Sequence, residues 1–130
     1  HELGIFNKKI NGHFSHSIPE NLGSQQIITG KGTIQLAPLD SFKFEQKIKL
    51  LKIDVEGMEL ASLQGAESIL KKDRPLIYVE CQLESDFQKV SNWLDKIKYC
   101  HWDVFNATPT HLFIPNEEVN IENRIAILFN

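Results

Sequence analysis

The chain has 130 residues, a formal net charge of -3 and a hydrophobic fraction of 42%, which is typical of one folded domain rather than of a disordered segment. Acidic and basic residues are interspersed, so no basic surface is predicted for a nucleic acid, and no apolar run approaches the roughly 20 residues of a membrane helix. We therefore predict a domain that binds neither nucleic acid nor a membrane.

The N-terminal segment, residues 1–32, has no clear period of apolar residues. It is rich in Asn, Ser, Gly, Gln and His, which are common in turns and loops. We predict a loop-rich segment with a short strand near residues 25–29, followed by an ordered portion over residues 33–130.

Two compact apolar runs follow, at residues 48–54 and Leu76–Glu80. Runs of this kind predict strands buried on both faces, as in a parallel sheet. Between them, apolar residues recur every three or four positions, as in a helix that Pro75 ends. These residues are Leu60, Leu63, Ala66 and Leu70.

A second amphipathic helix is predicted next, and a hairpin after it. The helix has one apolar stripe, formed by Phe87, Val90, Leu94 and Ile97. Residues 101–107 and 110–115 are separated by only Thr108 and Pro109, which is too short for a crossover and predicts antiparallel pairing. Residues 121–130 add a strand or pack as a tail. The predicted fold is therefore α/β, with parallel strands, crossover helices and a terminal antiparallel hairpin.

The two cysteines indicate the cellular compartment. Cys81 and Cys100 lie apart and neither belongs to a C-x-x-C pair, which favours reduced thiols in a cytoplasmic protein. The N-terminal residues also lack the basic end and apolar centre of a secretion signal. Cys81 is predicted to be buried and inert within a strand.

Acidic residues end both predicted parallel strands. Asp54 and Glu56 follow the first strand and Glu80 ends the second. In open α/β sheets ligands bind beyond the carboxyl ends of the strands. If the extended conformation continues through Val55, Asp54 and Glu56 project to the same side. The alternative is structural, because Glu56 and Glu59 also suit the start of a helix, where acids cap free N–H groups.

Three segments resemble the C-terminal half of the FkbM family of S-adenosylmethionine-dependent methyltransferases. They read PLDSF, KIKLLKIDVEGMELASLQGAESIL and RPLIYVECQ, and the match spans about residues 39–82 with the same spacing between its parts. The later THLFIP is similar to the closing strand of the family. The resemblance implies a Rossmann-like sheet whose last strand runs antiparallel, and methyl transfer to a hydroxyl, often on a sugar or polyketide.

The glycine-rich turn with which such enzymes hold the cofactor has no counterpart. The nearest candidate, GKGTIQ at residues 30–35, lacks a third glycine and precedes no predicted helix. The resemblance therefore covers a C-terminal portion, which by itself is expected to bind S-adenosylmethionine weakly or not at all. The alternative is a non-catalytic relative that acts in binding or assembly.

The resemblance and the chemistry of methyl transfer assign roles to the acids. The rate of methyl transfer depends on aligning the acceptor with the methyl group and on removing the proton of the acceptor. Asp54 and Glu56 are the predicted catalytic residues, with Asp54 as base or acceptor anchor, and Glu80 is a predicted substrate-binding residue. These residues provide no complete ligand set for a metal, so none is predicted. The predicted partner is a small-molecule or glycan acceptor.

Three further residues are candidates outside the acids. His13 and His16 are predicted to bind substrate near the site entrance, with solvated loop histidines and a zinc pair as alternatives. Asp40 matches the family motif and is assigned to cofactor binding, although an Asp before a Ser is also typical of a turn or helix cap.

The strand at residues 50–54 is predicted to have an open edge. In the sheet that the resemblance implies, its neighbour would be the first strand, which is missing from the match. An exposed apolar edge favours pairing with another chain. We therefore expect a homo-oligomer through this edge, or residues 33–36 folded over it.

Overall fold

The computed structural model describes residues 3–15 and 25–119 and has a mixed α/β architecture with two four-stranded sheets. The strands of the first sheet are β1 (Leu3–Ile5), β2 (Ile10–Phe14), β3 (Ile27–Thr29) and β4 (Ile34–Ala37). Their order is β1-β4-β2-β3. The pair β1–β4 is parallel and the other two pairs are antiparallel.

The first sheet corrects the prediction for residues 1–32. The loop assignment is wrong for β1 and β2, whereas the short strand predicted near residues 25–29 is confirmed by β3. The sequence of β2, INGHF, alternates poorly, so its strand depends on pairing with β3 and β4 rather than on its own pattern. The predicted boundary after residue 32 falls inside this sheet, because β4 belongs to it.

The second sheet contains β5 (Leu50–Ile53), β6 (Leu76–Glu80), β7 (Tyr99–Phe105) and β8 (Thr110–Pro115) in the order β5-β6-β8-β7. The pair β5–β6 is parallel, and β8 runs antiparallel to both of its neighbours. The predicted parallel pair and the predicted hairpin are both confirmed.

Three helices accompany this sheet: α1 (Glu59–Gln64), α2 (Glu67–Asp73) and α3 (Glu84–Lys96). The single helix predicted between β5 and β6 is interrupted at Gly65. A Cβ atom on Gly65 would lie 2.2 Å from the carbonyl oxygen of Phe6, so the first sheet approaches the helix closely there and only glycine fits. The helix predicted from Phe87, Val90 and Leu94 is confirmed as α3.

One hydrophobic core joins all three helices to one face of the second sheet. Its fully buried members include Leu63, Leu70, Ile77, Leu94 and Phe113. Burial of large aliphatic and aromatic side chains is the main stabilising contribution to such a fold. The same packing fixes the ends of β5 and β6 relative to the helices that follow them.

The first sheet and the turn after β4 contact α1 and the residue that follows it through hydrogen bonds. The amide of Asp40 donates to the carbonyl of Gly65 at 2.8 Å, and the hydroxyl of Ser62 donates to the carbonyl of Ile5 at 3.2 Å. The expectation that residues 33–36 cover the edge of β5 is wrong, because β4 pairs with β1 and β2. Within the described residues, β5 pairs with β6 alone.

None of the helices in residues 3–15 and 25–119 has the length and apolar character that crossing a bilayer requires. The prediction for residues 121–130 lies outside the described residues.

Candidate functional site

Acidic side chains from β5 and β6 converge on one crevice, as the sequence predicted. Asp54, Glu56 and Glu80 all line it. Its volume is about 80 Å³. The two strands are parallel, with Ile53 beside Val79, so the chain leaves both at the same rim of the sheet. This rim is the candidate functional site, and we call it the acid crevice.

The backbone brings Asp54 and Glu56 together differently from the prediction. β5 ends at Ile53, and Glu56 has a φ of 46° and Gly57 a φ of 93°. The extended conformation expected through Val55 therefore does not reach Glu56. A non-glycine residue in the left-handed region is uncommon and costs free energy, and such residues cluster at functional sites.

Glu59 has the structural role that was considered for the acids at this helix start. It is the first residue of α1, and its Oε1 accepts a hydrogen bond from the amide of Gly57 at 2.8 Å. Its side chain is buried, with only 7% of its surface exposed. Glu59 thus holds the turn after β5 in place from the floor of the acid crevice.

The acid crevice makes ionisation of Glu80 unfavourable. Burial raises the pKa of the Glu80 carboxyl, and the negative charges of Asp54 and Glu56 raise this pKa further. Lys52 partly opposes this effect, and its ammonium lies 3.7 Å from Asp54 in an exposed ion pair. Asp54 and Glu56 are therefore close enough to influence Glu80 electrostatically.

Sequence reasoning did not identify the other side chains of the acid crevice. Gln82 donates a hydrogen bond of 3.4 Å from its amide to Glu56, and Leu83 and Asp86 come from the start of α3. The spacing in the sequence did contain a signal for Gln82. Gln82 lies two residues after Glu80, just as Glu56 lies two residues after Asp54. Gln26 comes from the segment before β3, and nothing in its local sequence indicates this position.

Asp40 has a structural role in the described residues. Its two carboxylate oxygens accept hydrogen bonds from the amides of Ser68 and Ile69, at 2.8 and 3.0 Å. These amides belong to the first turn of α2, so Asp40 caps that helix from a distant point of the chain. The cap considered as an alternative is present, and Asp40 does not line the acid crevice. Its role in cofactor binding stays a prediction.

Of the two candidate histidines, the structure describes His13, which does not line the acid crevice. His13 lies on β2, is exposed, and has its Nδ1 atom 2.9 Å from the carbonyl oxygen of Lys31. His16 lies outside the described residues. Substrate binding by His13 and His16 stays a prediction.

No group of three or more His, Cys, Asp or Glu side chains in the described part of the chain is arranged to hold a metal ion. Neither cysteine forms a disulfide bond. Cys81 follows β6 directly and is buried, and burial raises its pKa to about 12. Because a thiol must ionise to react, this environment makes Cys81 inert near neutral pH.

The family follows from comparison of the whole sequence. A family model described as "Methyltransferase FkbM domain" matches residues 6–107. The chain belongs to the FkbM methyltransferase family. The match begins just after β1 and ends just after β7, and therefore includes every acid of the crevice.

A solved structure has a similar fold. It is the crystal structure of methyltransferase FkbM from Methylobacillus flagellatus KT, with 18% sequence identity and a TM-score of 0.59. The comparison covers 88% of this chain but only 27% of that protein. A search of curated proteins gave no match.

The acid crevice does not fit a complete methyl donor. Ligand sites for molecules of that size have volumes of roughly 300–1,000 Å³, whereas the acid crevice has about 80 Å³. It has room for one end of a ligand, such as a carbon that carries a hydroxyl. The acid crevice by itself is therefore too small to hold a whole S-adenosylmethionine molecule.

Proposed function

We propose that this chain forms the acceptor side of an S-adenosylmethionine-dependent O-methyltransferase with a Rossmann-like fold. In this proposal the acid crevice binds a hydroxyl group of a sugar, a polyketide or a related small molecule or glycan. Membership of the FkbM family supports methyl transfer. The observation that carries the proposal is the convergence of Asp54, Glu56 and Glu80 at the carboxyl ends of two parallel strands.

The acids have separate roles in removing the proton of the acceptor. A hydroxyl is a weak nucleophile until a base takes its proton. The O–H bond breaks, the proton moves to a carboxylate oxygen, and the electron pair stays on the acceptor oxygen. The raised pKa of Glu80 makes its carboxylate a stronger base near neutral pH. We assign proton acceptance to Glu80 and binding of acceptor hydroxyls to Asp54 and Glu56, which exchanges the roles inferred from sequence.

The methyl donor is proposed to depend on a larger enzyme. The small volume of the acid crevice supports weak or no binding of the donor by this chain alone. The limited coverage of the related crystal structure, 27% of its chain, supports a role as one portion of a longer protein. We further propose a cytoplasmic setting, which the lack of a disulfide bond between Cys81 and Cys100 supports.

Mutant kinetics test the roles of the acids. The full-length protein that contains this chain is incubated with S-adenosylmethionine and a panel of neutral monosaccharides, and release of S-adenosylhomocysteine is followed against pH. Glu80→Gln is expected to lower kcat by roughly 100-fold or more, since general-base catalysis contributes that much. Asp54→Asn is expected to raise KM and to move the acidic limb of the pH profile to lower pH, because loss of its charge lowers the pKa of Glu80.

A matched control and a binding experiment complete the test. Glu45→Gln changes an exposed acid in the loop before β5 and is expected to leave kcat and KM unchanged. Unchanged kcat in Glu80→Gln would remove Glu80 from the mechanism. Calorimetry with S-adenosylmethionine is run on this chain and on the full-length protein. Absence of binding by both would favour the alternative, a non-catalytic relative that acts in binding or assembly.

A further inference from the structure

Two histidines form a hydrogen-bonded pair on the helix-covered face of the second sheet. The Nδ1 atom of His111, on β8, lies 3.2 Å from the Nε2 atom of His101, on β7. His111 is buried with 8% of its surface exposed, and His101 is exposed. Neither residue lines the acid crevice. We call His101 and His111 the histidine pair.

A β-bulge in the hairpin sets the surroundings of the histidine pair. His101 is opposite Phe113, but the register then shifts, so Asp103 is opposite Leu112 and Val104 is opposite His111. Without the shift, Asp103 would stand opposite His111. A bulge can redirect a side chain in this way. Here it replaces a carboxylate, which would keep His111 charged, with the apolar side chain of Val104.

Phe87 of α3 covers the histidine pair. Its ring stacks on His111 with centroids 4.1 Å apart and meets His101 edge-on at 5.0 Å. The amide of Phe87 also donates to the carbonyl of Leu83 at 3.1 Å, in the first turn of α3. Because Leu83 and Asp86 line the acid crevice, this turn connects the histidine pair to the proposed site.

Few charges face His111 from the elements packed on it. β7 contributes His101, α3 contributes Glu84, and β6 places the apolar Val79 beside it. Burial lowers the pKa of His111, the neighbouring His101 lowers it further, and Glu84 opposes them. A single proton added to the pair is shared in a charge-assisted N–H···N bond, whereas a second proton leaves no acceptor and places two cations in contact.

We propose that the histidine pair is a pH-sensitive clasp, which holds the first turn of α3 against the sheet while it carries at most one proton and releases that turn when both rings are protonated. The second proton comes from solvent, and the N–H···N bond is lost as both ring nitrogens become donors. Release moves Leu83 and Asp86, so acidification alters the acid crevice through α3 in addition to any protonation of Glu80. The clasp is distinct from the methyl-transfer chemistry and does not depend on it.

The direction of the pH effect follows from linkage. A histidine whose pKa is lowered by folding stabilises the fold fully above the ordinary value of 6.5. This stability is lost as the pH falls from 6.5 through the lowered pKa. The clasp therefore opens on the acidic side of neutrality, and only on that side.

Hydrogen exchange and NMR titration of the full chain test the clasp. Ring resonances of the two histidines are followed from pH 8 to pH 5, and protection factors are measured for the amides of residues 86–90 over the same range. Wild type is expected to lose protection roughly three- to tenfold on acidification, the range for loss of one side-chain hydrogen bond. His101→Gln removes the second charge and is expected to lose this response. His13→Gln, on the first sheet, is expected to respond like wild type.

A second variant keeps the test decisive if His101→Gln changes the packing. Glu84→Gln removes the carboxylate that opposes the lowering and is expected to shift the His111 transition to lower pH. Equal loss of protection in wild type and His101→Gln would overturn the proposal, as would independent titration of the two rings. These measurements need neither donor nor acceptor, so they fail or succeed separately from the proposed methyltransferase activity.

Discussion

At the scale of single residues, Glu80 carries its charge in unfavourable surroundings. Burial is the largest cause of its raised pKa. Repulsion by the negative charges of Asp54 and Glu56 raises this pKa further. A carboxyl whose pKa is raised by folding stabilises the fold fully below its ordinary pKa of 4.5. This stability is lost as the pH rises through the raised pKa. At neutral pH the charged Glu80 therefore weakens the fold that positions it.

Replacing Glu80 by glutamine is expected to stabilise the chain near neutral pH. Glu80→Gln removes the charge while keeping the shape, so the free energy of unfolding in urea at pH 7.5 is expected to rise by about 0.5 kcal/mol. The gain is expected to shrink as the pH is lowered toward 4.5, because the raised pKa of Glu80 favours its protonation in the wild type over this range. Glu45→Gln, an exposed acid, is the control and is expected to show no gain. A less stable Glu80→Gln would mean that the fold uses Glu80 as a hydrogen-bond acceptor.

At the scale of elements, α2 depends on a residue outside itself. The residue before it, Ala66, provides no side-chain cap. The carboxylate of Asp40 instead accepts hydrogen bonds from the amides of Ser68 and Ile69. A charged acceptor at a helix N-terminus also interacts favourably with the helix dipole. The cap therefore joins the loop after β4 to the helix that supports the core.

Removing this cap is expected to destabilise α2 in particular. Asp40→Ala leaves two amides without an acceptor and is expected to lower the free energy of unfolding by about 1 to 2 kcal/mol. Asp40→Asn keeps one acceptor oxygen and is expected to lose less. Hydrogen exchange of residues 67–73 locates the effect, and a loss spread evenly over the chain would contradict it. Ser41→Ala removes the hydroxyl hydrogen bond to Pro38 next to the cap and is the control for local loop changes.

The elements that the sequence predicted well are those with a regular apolar pattern of their own. β6 buries alternate residues and α3 buries one apolar stripe. The hairpin was predicted from its two-residue connection instead, and all six residues of β8 are buried. The break at Gly65 depends instead on close approach of the carbonyl of Phe6. A contact between residues so far apart in sequence leaves no local pattern. β1 and β2 were missed for the same reason, since their partner is β4.

The candidate site was predictable in part. Acids at the ends of two adjacent runs indicated that Asp54, Glu56 and Glu80 meet, and they line one crevice. The backbone that brings them together was not predictable, because a left-handed Glu56 leaves no signature in composition. The position of Gln26 was not predictable either, since its side chain lies beside Gly57, a residue far from it in sequence.

At the scale of the whole molecule, Arg74 connects several elements at the end of the second sheet that lies opposite the acid crevice. Arg74, in the left-handed region after α2, donates to the carbonyls of Ile97 and Lys98 at 2.9 and 2.7 Å. It also pairs with both carboxylate oxygens of Glu117 and lies 4.4 Å over the ring of Tyr99. These contacts satisfy the guanidinium and tie α2, α3 and the end of β8 together. The acids lie at the opposite end of the sheet, and β5 forms one of its lateral edges.

The open edge of β5 predicts self-association of this chain. Within the described residues β5 has a strand partner on one side only, and Leu50 on this strand has 55% of its surface exposed. An unpaired, partly apolar edge is a template for another strand. We therefore expect this chain in isolation to form a homo-oligomer through β5, and light scattering after size exclusion is expected to show a mass above 14.9 kDa that rises with concentration.

A pair of matched variants assigns the contact to one edge of the sheet. Leu50→Lys places a charge on β5, as natural edge strands do to block pairing, and is expected to return the chain to a monomer. Val104→Lys makes the same change on β7, the other edge strand, where the side chain is 48% exposed, and is expected to leave the oligomer intact. Loss of the oligomer in Val104→Lys alone would place the contact on β7. A monomer at every concentration of wild type would show that the edge of β5 does not recruit a second copy of this chain.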